Sequence, residues 1–144
     1  MCIRDRAEYD ALTPDGNTMY VISGSGDIVD DLIVSGSLIG DVKAISVASS
    51  TGSLDCSTGN YFTLGLANAA DTRLEASNIQ IGQTINIKIT NNATAAGTIT
   101  FGPEFEFVDG TAFTATAATS AVDIITLVSF DGTSLQTVGV KNFS

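Results

Sequence analysis

The cleanest alternation of apolar and polar positions along the chain is TINIKIT, residues 84–90. Ile85, Ile87 and Ile89 point one way and Asn86, Lys88 and Thr90 the other, the two-residue period of a half-buried strand. Similar short runs flank it. YFTLGL (61–66) follows the turn Ser57-Thr58-Gly59-Asn60, and TRLEASNI (72–79) places Leu74 and Ala76 on one face. NNATAAG (91–97) reads as a polar hairpin loop from which TITF (98–101) returns. Phe105 and Phe107 alternate with Glu104 and Glu106, and residues 111–121 form a Thr/Ala run with no strong period. DIITLVSF (123–130) is apolar on both faces, which predicts a central, buried strand. Asp131-Gly132 is a hairpin signal, and SLQTVGV (134–140) closes the domain.

The upstream third is less regular. AEYDALTPDG (7–16) ends in a turn, TMYVIS (18–23) reads as a strand, and Gly24-Ser25-Gly26-Asp27 interrupts it. DLIVSGSLIGDVKAISVASS (31–50) is a series of short apolar runs broken at Gly36 and Gly40, which suits a stalk. No stretch keeps the 3.6-residue helical period. The pattern therefore predicts an all-β protein: an antiparallel β-sandwich or jelly-roll-like domain over 51–144, preceded by a short Gly-punctuated β-stalk or linker over 7–50.

Composition narrows the partners. The 144 residues carry a formal net charge of −10, which repels nucleic-acid backbones and anionic membrane surfaces. Only 15% of residues are charged while 44% are hydrophobic, so the chain has the means to bury a core and does not read as disordered. No apolar run approaches the length of a membrane span. Nucleic-acid binding and membrane insertion are both excluded as expectations. The opening MCIRDR resembles translated adapter read-through at the start of metagenomic reading frames, so residues 1–6 are set aside. Cys56 is then the remaining cysteine, and no intramolecular disulfide is expected.

Few residues can carry chemistry. The chain has no His, which removes Ser-His-Asp and Cys-His devices and the commonest transition-metal ligand. Cys56 is flanked by Asp55 and Ser57, with no cation nearby to lower its pKa, and reads as a strand-end core residue in a strand–turn–strand unit. Glu104 and Glu106 share a strand face and could form an acid pair, but the plainer reading is a solvated face opposite Phe105 and Phe107. Asp109-Gly110 and Asp131-Gly132 lack the ligand run of a calcium loop and read as turns. Asp27, Asp30 and Asp31 are the densest acidic cluster, a weak divalent site at most. Gly24-Ser25-Gly26 is too short for a phosphate loop. Of Tyr61 and Phe62, adjacent on a strand, one must face outward. No catalytic, cofactor-binding or metal residue is assigned, no cofactor is expected, and no enzyme activity is expected.

LDCSTGNYFTLGL, IGQTINIKIT, DIITLVSFDGTSL and the terminal VGVKNFS follow one another in an order that resembles a domain near the C-terminus of tail-fibre and related virion proteins of tailed bacteriophages, particularly marine phages. Where that family carries Trp, this chain has Phe101, Phe105 and Leu135. DLIVSGSLIG resembles stretches that build fibre shafts, and TPDGNTMYV resembles one blade of a β-propeller, a fold that a single blade cannot make. The fibre resemblance implies a structural component of the extracellular virion. It implies a homotrimer that contacts other virion proteins and, through loops such as 91–97 and 109–121, a host cell-surface glycan. The competing expectation is a carbohydrate-binding β-sandwich module of a surface or secreted protein. Such modules expose Trp or Tyr platforms, and this chain has three Tyr and no Trp. A polysaccharide-degrading spike is a third, which the lack of an acid/base constellation disfavours.

Overall fold

The structure, a computed structural model, describes residues 39–143. Ten strands make two sheets: β1 (Val42–Ala44), β2 (Ser46–Ala48), β3 (Thr51–Asp55), β4 (Tyr61–Gly65), β5 (Asp71–Ser77), β6 (Thr84–Thr90), β7 (Thr98–Phe101), β8 (Phe105–Phe107), β9 (Val122–Val128) and β10 (Leu135–Phe143). The large sheet has the order β1-β4-β6-β9-β10-β8 and the small sheet β2-β3-β5-β7. Short helical turns at Cys56–Thr58 and Val108–Gly110 complete the pattern. Among the described residues no helix is long and apolar enough to cross a membrane.

The all-β sandwich is as expected, but its strand directions are mixed rather than antiparallel. The pairs β1–β4, β4–β6, β3–β5, β5–β7 and β8–β10 are parallel. Only β2–β3, β6–β9 and β9–β10 are antiparallel. The cause is the route of the chain. From β3 to β7 each successive strand lies in the opposite sheet, so neighbours within a sheet are every second strand and run the same way. One circuit takes 19 to 27 residues, about the spacing of a solenoid coil. NNATAAG is accordingly no hairpin loop. It arches from β6 in the large sheet to β7 in the small one. β1 and β2 pair with β4 and β3, so residues 42–48, assigned to the stalk in the sequence reading, belong to the two sheets. Residues 7–38 of that stalk lie outside the described residues.

Strand patterning fills the core as read. Ile85, Ile87 and Ile89 on β6 are buried with Leu74 on β5, Leu54 on β3, Leu64 on β4, and Ile125 and Leu127 on β9. β9 is indeed central, between β6 and β10, and its second face is half-buried. Six strands cannot all be covered by four. Phe101, Phe105 and Phe107 form an aromatic cluster between β7 and β8, with ring centroids 5.2 and 4.9 Å apart. Phe113, from the Thr/Ala run, lies on Gly139 of β10, where a Cβ would collide with its ring.

The hairpin β2–β3 turns through Ser49 and Ser50, both at positive φ (48° and 65°), with Ala48 paired to Thr51. Two positive φ values in a two-residue loop are what Asn-Gly supplies and Ser-Ser does not. Replacing the pair by Asn-Gly (Ser49→Asn with Ser50→Gly) should raise stability by about 1 kcal/mol, read as a higher denaturant midpoint at unchanged slope.

Candidate functional site

Cys56 is fully buried at the start of the turn after β3. Burial, together with the Asp55 carboxylate, pushes its thiol up to about 11, the opposite of an activated nucleophile. Asp55 builds this turn: its Oδ1 accepts from Ser57 N at 3.1 Å, Ser57 Oγ at 2.7 Å and Asn78 Nδ2 at 3.0 Å. The bonds from Asn78 and Ser57 hold its carboxyl below the ordinary range.

The two glutamates are committed to separate partners. Glu104 accepts from the backbone N–H of Ala76 on β5, and Glu106 accepts from Gln136 Nε2 at 2.8 Å on β10. Asp131 organises the β9–β10 turn, accepting from Thr133 N at 2.7 Å and Ser134 N at 2.8 Å, with Gly132 at φ 75°. Those backbone bonds hold its carboxyl well below the ordinary range. Asp109 sits at positive φ in the turn after β8. No group of three or more His, Cys, Asp or Glu among the described residues is placed to hold a metal. Asp27, Asp30, Asp31 and Gly24-Ser25-Gly26 lie outside the described residues.

Two buried polar residues tie down the loops that the fibre resemblance assigns to receptor contact. Asn91 donates to Gly97 O at 3.2 Å and Thr116 O at 2.9 Å, while its Oδ1 accepts from Gly97 N at 2.7 Å. Asp123, on β9, accepts from Thr116 N and Thr116 Oγ1, both at 2.7 Å, and from Asn142 N at 2.8 Å. Burial raises the Asp123 carboxyl, but the Thr116 and Asn142 bonds, with Lys141 nearby, outweigh it and the net shift is downward. Ser120 N donates to Asn92 O at 3.2 Å, so the two loops touch. Their exposed residues are Ala93–Thr94 in the first and Asp109–Ala112, Thr114 and Ala117–Ser120 in the second.

The two outer faces differ in chemistry, a feature the sequence reading missed. The small sheet presents Ser46, Ser53 and Glu75 in one row and Ala48, Thr51, Arg73 and Thr100 in the next. Arg73 pairs with Glu75 at 2.9 Å, and Asp71 accepts from Thr98 and Thr100 at 2.9 and 2.8 Å. The large sheet presents Val42, Tyr61, Asn86, Thr126 and Val138 in register, then Ala44, Thr63, Lys88, Ile124 and Val140. Six of these ten positions are apolar, with Asn86, Thr126, Thr63 and Lys88 between them, and the next row is Glu106, Gln136, Val128 and Thr84. Tyr61 faces out at 46% exposure and Phe62 in at 4%, as strand alternation requires. The Tyr61 ring lies on Gly40, leaving no room there for a side chain. It borders a shallow depression of about 360 Å³ with Val42, Thr63, Asn86, Lys88 and Ile124. The legible signal was β9: a strand apolar on both sides, in a sandwich only two layers deep, leaves one of them half-buried.

Among protein families, a model described as a phage tail tip domain matches residues 5–23. The match includes TPDGNTMYV and begins within the six residues set aside above, outside both the described domain and the stretch that carries the fibre resemblance. It associates the chain with phage tails and covers no more of it than that. No curated protein and no solved structure matches the chain.

Asp123 stabilises the loop end only while ionised. Because its folded-state pKa is lowered, its contribution is complete above the ordinary carboxylate range and is lost as pH falls through the lowered value. Asp123→Asn should cost about 1–2 kcal/mol at neutral pH, and the gap to the parent chain should narrow below about pH 4, in denaturant titrations across pH.

Proposed function

We propose that this chain is a structural component of a tailed-phage virion, a tail fibre or fibre-associated module that works by assembling with copies of itself and with other virion proteins. The observation that carries the reading is the tail-tip match at residues 5–23, upstream of a β-sandwich. Exposed Val42, Tyr61, Val138 and Val140 on the outer face of the large sheet support it, because exposed apolar side chains grouped on one face mark an interaction surface more often than a solvated one. Burial of Cys56 and the separate engagement of Glu104 and Glu106 give no support to a catalytic reading. Host attachment is part of the proposal, through the adjoining exposed tips 93–94 and 117–120. Mass spectrometry of purified particles of a tailed phage whose genome encodes this chain should recover its peptides at structural-protein abundance. Recovery from the infected-cell lysate but not from particles would sink the proposal.

One observation favours a second reading, a carbohydrate contact on the large sheet. Tyr61 is held in place by Gly40, and Asn86, whose Oδ1 accepts from Thr126 Oγ1 at 2.8 Å, keeps its amide donors for a ligand. A sugar ring stacked on Tyr61 with hydroxyls at Asn86 and Lys88 fits that chemistry. On a glycan array, binding that falls at least about tenfold in Tyr61→Ala, a loss of ~1.4 kcal/mol, would support this reading. Binding unchanged by Tyr61→Ala would remove it.

A further inference from the structure

We propose that the sugar seated on Tyr61 is an acidic one, a saccharide whose single negative charge, carried by a carboxylate or a sulfate ester, lies against Lys88. The proposal names the ligand class for the carbohydrate reading above and rests on that reading.

Parallel pairing sets the geometry. Across β4 and β6, Tyr61 stands beside Asn86 and Thr63 beside Lys88. Neighbouring strands are about 4.8 Å apart, and alternate residues of one strand about 7 Å. The aromatic ring, the amide and the ammonium therefore start from the corners of a triangle that one pyranose ring with its substituents spans. Thr126 Oγ1 donates to Asn86 Oδ1 at 2.8 Å, which fixes the amide with its N–H groups turned away from Thr126. The depression that these residues border, about 360 Å³, is near the small end for ligand sites and suits one or two sugar units.

The charge of the ligand follows from Lys88. The other cations among the described residues already have company. Arg73 pairs with Glu75 at 2.9 Å, Lys141 donates to Thr114 Oγ1 at 2.7 Å, and Lys43 acts on the Asp55 carboxylate. Lys88 is exposed on β6 and has no such partner among the described residues. No acidic residue stands in its row of the large sheet or in the row on either side. Asp123, on the adjacent strand, points to the opposite face and is held by Thr116 and Asn142. Glu106 lies two rows back and three strands away, and Asp41 lies at the far edge before β1.

The net charge of −10 repels anions, but at physiological salt that repulsion is screened over roughly 8 Å. Local charge then decides, and around Lys88 it is positive. A neutral sugar laid over the depression would strip water from the ammonium and return no charge to it. An anion replaces that water with a charge-assisted hydrogen bond. One ammonium balances one negative charge. A phosphate monoester, nearer to two, would leave an excess that no second cation on this face meets.

Matched glycan pairs test the proposal on the full chain: an oligogalacturonide against its carboxyl-reduced form, and a sulfated galactan against its desulfated form. The parent chain should bind a charged member at least about tenfold more tightly than its neutral counterpart, the effect of one hydrogen bond to a charged group. The pair that shows the preference identifies the carrier of the charge. Lys88→Gln should remove the preference, Lys88→Arg should keep it, and added salt should weaken it. Circular dichroism on Lys88→Gln separates a lost contact from a lost fold. Charged and neutral members bound alike, both weakened by Tyr61→Ala, would overturn the acidic class and leave the carbohydrate reading standing. A charge preference that survives Lys88→Gln would overturn the assignment to Lys88. Binding to none of the four glycans would overturn the proposal, and a broad array without Tyr61-dependent binding would remove the reading beneath it as well.

Discussion

Each passage of the chain from one sheet to the other leaves backbone groups that no ladder can satisfy, and the fold depends on how those arches are closed. A hairpin needs two residues of the right φ; an arch between sheets carries a loop across the edge of the core, where unpaired polar groups are costly. Here the closing groups are side chains. Gln83 donates to Cys56 O at 2.7 Å and Gly59 O at 3.2 Å, Asn60 donates to Thr84 O at 2.8 Å, and buried Thr72 accepts from Ala67 N at 3.1 Å. Asn91 does the same for the arch between β6 and β7. Arches one circuit apart are thereby bonded to one another, as Ala69 N is to Ala95 O, which fixes the order of the coils as well as their ends.

The second constraint is the mismatch of six strands against four. It accounts for the aromatic cluster at β7 and β8 and for the seat of Phe113 on Gly139. It also changes the meaning of the Thr/Ala run. Residues 111–116 are a strap that covers part of the large sheet, tied at Thr116 to Asp123 and Asn91. Thr111, Ala112 and Thr114 of the strap are exposed, as is the whole stretch Ala117–Ser120 beyond it.

The same mismatch leaves the large sheet with an uncovered outer face and an uncovered stretch of β10. Those surfaces expose Val42, Tyr61, Val138, Val140 and Phe143, with Lys88, Glu106 and Lys141 among them. The polar face of the small sheet, with Arg73, Glu75 and the Asp71–threonine bonds, shows what this sequence places where solvent is the neighbour. The contrast within one molecule is the physical basis for reading the large sheet as an assembly surface.

Strand identity and facing were determined by the sequence alone. TINIKIT could bury only its isoleucines, Cys56 could only sit at a strand end with its thiol inward, and Tyr61 and Phe62 had to part to opposite faces, because side-chain period in a strand is local. Asp131-Gly132 was equally legible, since positive φ and an Asx bond are properties of a few adjacent residues. Direction and sheet membership were decided only in three dimensions. NNATAAG reads the same whether it turns back within a sheet or arches to the other one. The burial of Asn91 and Asp123 depends on partners up to 25 residues away. The open edge of β10 exists because β8 ends after three residues, a fact about a neighbour rather than about VGVKNF itself. Local periodicity specifies what each strand buries; which strand lies beside it is a long-range pairing that no local pattern encodes.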